Sequence, residues 1–232
     1  MRVDVVFTPG EAGKASTGIV IDVIRATSTI CQALASGYSR VLCASEIEEA
    51  RELRGELGDG VLGGERNNVV IDGFDLGNSP REYLEPRADT LILTTTNGTR
   101  AIVTAAARCD RVFVASLLNL SRVVDAARES GEDVVVVCAG VQGALALDDS
   151  YVAGRIVQLL DGVRTDAAEA AVRLAESWSG VDEAFRSSRS GRNLLENAPH
   201  LEGDLAFCAR ESVLDVLPRF IRMHGAAAEI AA

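Results

Sequence analysis

Six continuous apolar runs constrain this chain more than any other feature: Gly18–Val23, Val41–Cys43, Val61–Gly63, Leu91–Thr94, Val112–Ala115 and Val134–Cys138. Each stops at a polar loop. Runs without polar alternation suit strands buried on both faces, as in a mostly parallel sheet. Between them lie amphipathic stretches: Ile47, Ala50, Leu53 and Leu57 fall near helical spacing, as do Leu120, Val123, Val124 and Ala127. The expected fold is therefore α/β, a three-layer α/β/α arrangement around a mostly parallel sheet, with a helical C-terminal part. Helices are expected near Asp148–Leu160, Thr165–Ser177, Asp182–Ser187, Gly191–Asn197 and Glu202–Cys208, and a late strand at Val213–Leu217. The short Ala-rich tail after Gly225 is expected to fray. No obvious linker divides the 232 residues, so a single domain over 1–232 is expected. Two closely packed α/β lobes, about 1–140 and 141–232, remain the alternative.

Composition excludes several classes. Apolar residues form 47 % of the chain, too many for a disordered protein. No apolar run approaches the ~20 residues that span a bilayer. Met1-Arg2-Val3-Asp4 leads straight into a strand-like run, without the charged start and apolar stretch of a signal peptide, so a cytoplasmic location is expected. The five cysteines are odd in number, form no CxxC pair and lie partly inside apolar runs, which suits buried free thiols in a reducing compartment. A net charge of −11 argues against nucleic-acid or anionic-membrane partners. Lys14 is the sole lysine; every other base is an arginine, a two-pronged anion ligand wherever it enters a loop. Gly58–Gly63 matches GxGxxG but follows a helical stretch and runs into a strand, the reverse of a dinucleotide loop. Gly10–Lys14 lacks the first glycine and the magnesium-binding hydroxyl of a P-loop. The two histidines, His200 and His224, lie late and without metal-site spacing.

The polar segments after the apolar runs are the candidates for chemistry, because ligands of open α/β sheets gather at the carboxyl ends of strands. In Asp22-Val23-Ile24-Arg25-Ala26-Thr27-Ser28, Asp22 suits a divalent cation, Arg25 an oxyanion, and Thr27 and Ser28 the anion-binding start of a helix. Gly63-Gly64-Glu65-Arg66-Asn67-Asn68 offers Glu65 for metal or water activation and Arg66 for anion binding; Asp75, further on, reads equally as a turn former. Thr94–Arg100 is a hydroxyl-rich strand end, a glycine turn and a helix start, in which Thr96, Asn97, Gly98 and Thr99 form a phosphate cradle. Ser116 and Asn119 stand after another strand and suit substrate hydrogen bonds, although Asn119 could equally cap its helix. Asp148 and Asp149, at a helix start, complement the dipole and also form the paired carboxylates that Mg²⁺ takes with waters. Arg189 and Arg192 are further anion ligands that could reach the site.

The ordered set resembles the 2-phosphosulfolactate phosphatase family of coenzyme M biosynthesis. It runs through Asp22-Val23-Ile24-Arg25-Ala26-Thr27, Gly64-Glu65-Arg66-Asn67, Gly73–Pro80, Thr95-Thr96-Asn97-Gly98-Thr99, Cys138-Ala139-Gly140, Leu147-Asp148-Asp149, Ser190-Gly191-Arg192 and Asp204–Ala209, nearly the whole chain. Asn68 stands where the family pattern leads us to expect a glycine, and Gly143–Ala146 is less polar than expected. The resemblance implies an α/β fold of its own and Mg²⁺-dependent hydrolysis of 2-phospho-3-sulfolactate to 3-sulfolactate and phosphate. On that basis Asp22, Arg25, Glu65 and Arg66 are expected to be catalytic. Mg²⁺ is expected on some of Asp22, Glu65, Asp148 and Asp149, with phosphate at Asn97–Thr99, the acid groups on Arg25 and Arg66, and water attacking directly. The expected partner is a small anionic phosphorylated substrate; a homodimer stays open. The competing readings are a phosphatase for another small phosphorylated hydroxy acid, a non-catalytic anion-binding protein on the same scaffold, and polar motifs that only cap and turn.

Overall fold

The computed structural model describes residues 1–232. All six apolar runs form strands, because a β-branched run such as Val134–Cys138 loses least when both of its faces are covered. In chain order the strands are β1 Arg2–Val6, β2 Ala15–Ile21, β3 Arg40–Cys43, β4 Val61–Arg66, β5 Val69–Val70, β6 Thr90–Thr94, β7 Cys109–Ala115, β8 Val134–Cys138, β9 Val163–Arg164, β10 Arg219–His224 and β11 Ala227–Ala231. The helices are α1 Ala26–Ala35, α2 Ile47–Leu57, α3 Gly98–Ala106, α4 Leu120–Ser130, α5 Leu147–Leu159, α6 Asp166–Glu176, α7 Val181–Ser187, α8 Arg189–Asn197 and α9 Gly203–Cys208. The chain is a mixed α/β fold on a mostly parallel sheet, and no helix is long and apolar enough to cross a membrane.

One sheet of eleven strands runs in the order β5-β4-β6-β3-β11-β10-β7-β2-β8-β1-β9. Its two parallel blocks, β4-β6-β3 and β7-β2-β8-β1-β9, are joined by the antiparallel β10–β11 hairpin, which pairs with β3 on one side and with β7 on the other. Alternate side chains of each strand enter different cores. Val3, Ile19, Phe113 and Val136 pack with α4, α5 and α6. Val20, Val114 and Val137 from one block join Val41, Leu91 and Val61 from the other around α1 and α3. Leu42, Ile92 and Leu62 pack with α2 on the opposite face. Helices thus cover both faces, and the shared core around α1 and α3 holds the two blocks together.

The structure corrects two expectations at the C-terminus. Val213–Leu217 is not a strand, and the Ala-rich tail does not fray: it is β11, with Ala227, Ala228 and Ile230 fully buried in the middle of the sheet. Alanine has little intrinsic strand preference; here the pairing with β3 and β10 sets the conformation. Truncating Ile230 to Ala is expected to cost about 2–5 kcal/mol, the range for large-to-small changes in a core, read as a lowered urea midpoint. Removing residues 226–232 is expected to abolish cooperative unfolding, because β3 and β10 would then share no strand.

Candidate active site

The carboxyl ends of strands from both blocks open on one cavity of about 360 Å³. β2 delivers Asp22 and Arg25, β4 delivers Glu65, β6 delivers Thr96 and Asn97, and β8 delivers Gly140. The N-terminal turn of α5 adds Asp148 and Asp149, and α8 adds Arg189, Ser190 and Arg192 from above. Only two of its nineteen lining residues are apolar, as suits a small, highly charged occupant.

Asp149 binds the cavity floor together. Its Oδ1 accepts the Val23 N–H at 2.9 Å and its Oδ2 accepts the Gly140 N–H at 3.0 Å, so one carboxylate joins the ends of β2 and β8 to the start of α5. Gly140 has φ +66, and a Cβ there would lie 2.5 Å from the Ala144 carbonyl oxygen, so only glycine fits the turn. Glu65 is similarly engaged: Oε1 accepts the N–H and the hydroxyl of Thr96, both at 3.0 Å, and Oε2 accepts the Asn68 N–H at 2.9 Å. It holds the β6 loop against the two-residue turn between β4 and β5, where Asn67 and Asn68 both have positive φ, the conformation such a hairpin requires and asparagine tolerates. The asparagine at position 68 also supplies an Oδ1 that accepts from Arg25 Nη2 at 3.2 Å.

Asp22 and Asp148 are less engaged. Asp22 receives one long bond, from the Ala26 N–H at 3.4 Å, and Asp148 one from the Ser190 hydroxyl at 3.2 Å. Burial, then the neighbouring Asp148 and Glu65 carboxylates, pushes the Asp22 carboxyl up to about 7. Burial lifts Asp148 to about 6 against the pull of Ser190 and Ser188. Burial, with Asp148 and Asp22 nearby, holds Asp149 well above the usual carboxylate range. The start of α3 approaches Asp22 closely because residue 98 is glycine: a Cβ there would lie 2.6 Å from Asp22 Oδ2 and 2.5 Å from Ala26 Cβ.

The sequence-derived candidates divide on placement. Asp22, Arg25, Glu65, Thr96, Asn97, Asp148 and Asp149 line the cavity. Gly98 lies behind Asp22. Thr27, Ser28, Thr99, Ser116, Asn119 and Arg66 do not line it. The Thr27 hydroxyl donates to the Asp22 carbonyl and accepts the Asp22 N–H, and the Ser28 hydroxyl donates to the Val23 carbonyl. The Thr99 hydroxyl accepts the Thr95 N–H. Asn119 accepts the Ser116 N–H and donates to the Val114 and Val216 carbonyls. Arg66 turns away, donating to the Glu65 carbonyl and to Thr94 Oγ1. Asp75 lies outside the cavity and makes no local turn bond: its Oδ2 accepts the Leu62 N–H of β4 and pairs with Arg54 of α2. Asn78, within the Gly73–Pro80 segment, also lines the cavity, and its buried Oδ1 has no hydrogen-bond partner. Gln142 bridges the mouth, its N–H to Asn97 Oδ1 at 3.4 Å and its Oε1 to Arg189 at 2.6 Å. Neither asparagine nor glutamine carries a charge that would have singled it out in sequence.

The donor set fits a divalent cation that keeps most of its waters. No three acidic, histidine or cysteine side chains are arranged as a cage. Mg²⁺, however, is commonly held by one or two carboxylates with waters and substrate oxygens. Among the buried acids of the cavity, Asp22 and Asp148 accept the fewest hydrogen bonds, one each. The sign of their pH dependence follows from linkage. A carboxyl whose native pKa lies above its unfolded value holds a proton in the native state that the unfolded state has released, so stability falls as pH rises through that window. In cation-free buffer the melting temperature of the wild type is expected to fall as pH rises from about 4 to about 7, the span between the unfolded and folded pKa values of these carboxyls. Asp22→Asn is expected to be more stable than the wild type at pH 8, with the gap closing toward pH 4; a gap independent of pH would contradict the charge crowding.

Comparison with known proteins agrees with the motif order. The profile of the family described as 2-phosphosulpholactate phosphatase matches residues 7–222. A Thermotoga petrophila protein named "Probable 2-phosphosulfolactate phosphatase" is 41 % identical over 223 residues, covering 94 % of this chain and 95 % of that protein. Proteins of the same name from Symbiobacterium thermophilum and Clostridium acetobutylicum are 39 % and 34 % identical, covering 91 % and 95 % of this chain and 94 % and 97 % of their own lengths. With a profile match over most of its length and relatives of this similarity end to end, the chain belongs to the 2-phosphosulpholactate phosphatase family.

Proposed function

We propose that this chain hydrolyses the phosphate monoester 2-phospho-3-sulfolactate to 3-sulfolactate and inorganic phosphate, with Mg²⁺ held by Asp22 and Asp148. The observation that carries this reading is the single polar cavity in which acids and arginines distant in sequence stand together at the strand ends. Five acids and three arginines line it, Asp22, Glu65, Asp148, Asp149 and Glu196 against Arg25, Arg189 and Arg192. A substrate bearing phosphate, carboxylate and sulfonate on three carbons would be repelled by that excess of acids unless a cation joined it. A bound Mg²⁺ would neutralise phosphoryl oxygens and acidify a water.

The residues supply the rest. The phosphoryl group is assigned to the turn before α3, where the Asn97 N–H and side-chain amide face the cavity, the Thr96 N–H being taken by Glu65. The acid groups are assigned to Arg25, Arg189 and Arg192; Arg66, whose guanidinium is occupied elsewhere, is not needed for them. Water attacks phosphorus in line with the ester oxygen, the phosphorus–oxygen bond to C2 breaks, and the released oxygen takes a proton to become the hydroxyl of sulfolactate. The cavity holds no histidine or cysteine, and its one serine, Ser190, donates its hydroxyl to Asp148, the proposed cation ligand, which supports direct attack by water. A water acidified by the cation would give up a proton as it attacks, and the leaving oxygen would take one up, so that the step balances.

Phosphate release by the purified protein tests the reading. Turnover of 2-phosphosulfolactate is expected to require Mg²⁺, to stop on chelation and to return on adding Mg²⁺ back. Asp22→Asn is expected to remain folded and lose at least about 100-fold in kcat, the scale of losing a group that acts in the transition state. In a panel of phosphorylated hydroxy acids, faster turnover of one without a sulfonate would reassign the substrate, and normal turnover by Asp22→Asn would remove its proposed role.

A further inference from the structure

Arg25 is the most deeply buried cation of the cavity, and the chain holds its guanidinium from two sides. Nη1 donates to Asp204 Oδ2 at 2.7 Å and Nη2 donates to Asn68 Oδ1 at 3.2 Å. The Arg25 and Asp204 side chains are only 2 % and 0 % exposed. Asp204, on α9, is itself fixed: its Oδ1 accepts the Ser79 hydroxyl at 2.7 Å, and Arg81 lies at 3.8 Å. Two of the five guanidinium N–H groups are thereby spent, leaving three for whatever occupies the cavity. A buried ion pair is weak grounds for stability, because desolvating both charges offsets most of their attraction. Its more telling property here is geometric. A planar fork held at two corners presents its remaining donors in one fixed plane.

We infer that Asp204 is a positioning residue, which with Asn68 sets the plane and rotamer of Arg25 so that its free N–H groups meet an oxyanion of the bound substrate. The inference deepens the phosphatase reading above and rests on it for the identity of the anion. Asp204 touches no reacting atom. It acts through Arg25 across 179 residues of sequence, and the same carboxylate ties in Ser79, next to the unpartnered Asn78. The wall of the cavity carrying Arg25 and Asn78 is therefore braced from behind by α9.

Chemical rescue separates positioning from mere packing. Turnover of 2-phosphosulfolactate is measured together with the affinities for sulfolactate and inorganic phosphate, so that an inactive wild type would sink the phosphatase reading while the affinities still test the anchor. Asp204→Asn is expected to lower kcat/KM, or the matching anion affinity, by about 10- to 100-fold, the scale of one charge-assisted hydrogen bond. Arg25→Ala is expected to lose both activities and to regain part of them with added guanidinium below denaturing concentration. The double variant Arg25→Ala with Asp204→Asn is expected to show no such rescue, because nothing orients the added ion. Equal rescue in both backgrounds would overturn the proposal. Should Asp204→Asn fail to fold, Asn68→Gly removes the other anchor at a position whose φ of 64° suits glycine. Its loss of affinity is expected to vanish in an Arg25→Lys background; an equal loss there would overturn the anchoring as well.

Discussion

The candidate site depends on the carboxylate of Asp149. By accepting the N–H groups of Val23 and Gly140 it fixes the ends of β2 and β8 to the first turn of α5, and that contact brings Asp148 to Asp22. Two neighbouring acids on one helix turn thus divide their work: one carboxylate is consumed by backbone donors, and the other is left to the cavity. Glu65 repeats the device on the far wall, where both its oxygens are taken by the Thr96 and Asn68 segments. The consumed acids build the frame, and the frame crowds the free ones.

Crowding of this kind has an energetic direction. A carboxylate moved out of water loses solvation, which lifts both Asp22 and Asp148 toward neutral pH, and at Asp22 the neighbouring Asp148 and Glu65 carboxylates add repulsion. Alone, such a cluster weakens the fold. With a cation and a polyanion in place, the same charges become ligands, so stability given up by the empty protein is returned on binding. The pattern separates these acids from those that only cap helices, such as Glu49, whose Oε2 accepts the Ser45 N–H at the start of α2.

Much of this was legible in the sequence, and the parts that were not share a cause. Strands buried on both faces announce themselves as apolar runs, and the acids that follow them, Asp22, Glu65 and Asp148, fall where an α/β sheet gathers ligands. The hairpin of β10 and β11 was not legible. Arg219–His224 is mostly exposed and polar, and Ala227–Ala231 has no run of branched side chains, so neither shows a strand pattern. Their conformation is imposed by β3, β7 and each other. Without the hairpin the sheet reads as one parallel stack, and the approach of two blocks at a single cavity is invisible. Hydroxyl-rich helix starts misled for a related reason. Thr27, Ser28, Thr99 and Asn119 have the chemistry of a ligand site, and the backbone claims it first. Arg66 and Arg189 could be told apart only by where their loops turn.

The net charge of −11 argues against nucleic-acid partners and predicts little about a small ligand. Over a few ångströms what counts is which charges are already paired. Arg25 is neutralised by Asp204, so it contributes directed hydrogen bonds to the cavity more than net positive potential. Arg189 and Arg192 are exposed at the rim, where water screens them. Neither kind of arginine cancels the acids beneath. On the proposed reading, attraction of a substrate with close to four negative charges near pH 7 therefore cannot come from the protein's arginines alone, and the shortfall lies at Asp22 and Asp148. The proposed cation would turn that deficit into the strongest local field in the cavity. Without it the same residues would repel a polyanion, so on this reading the acids of the cavity make binding conditional on the cation.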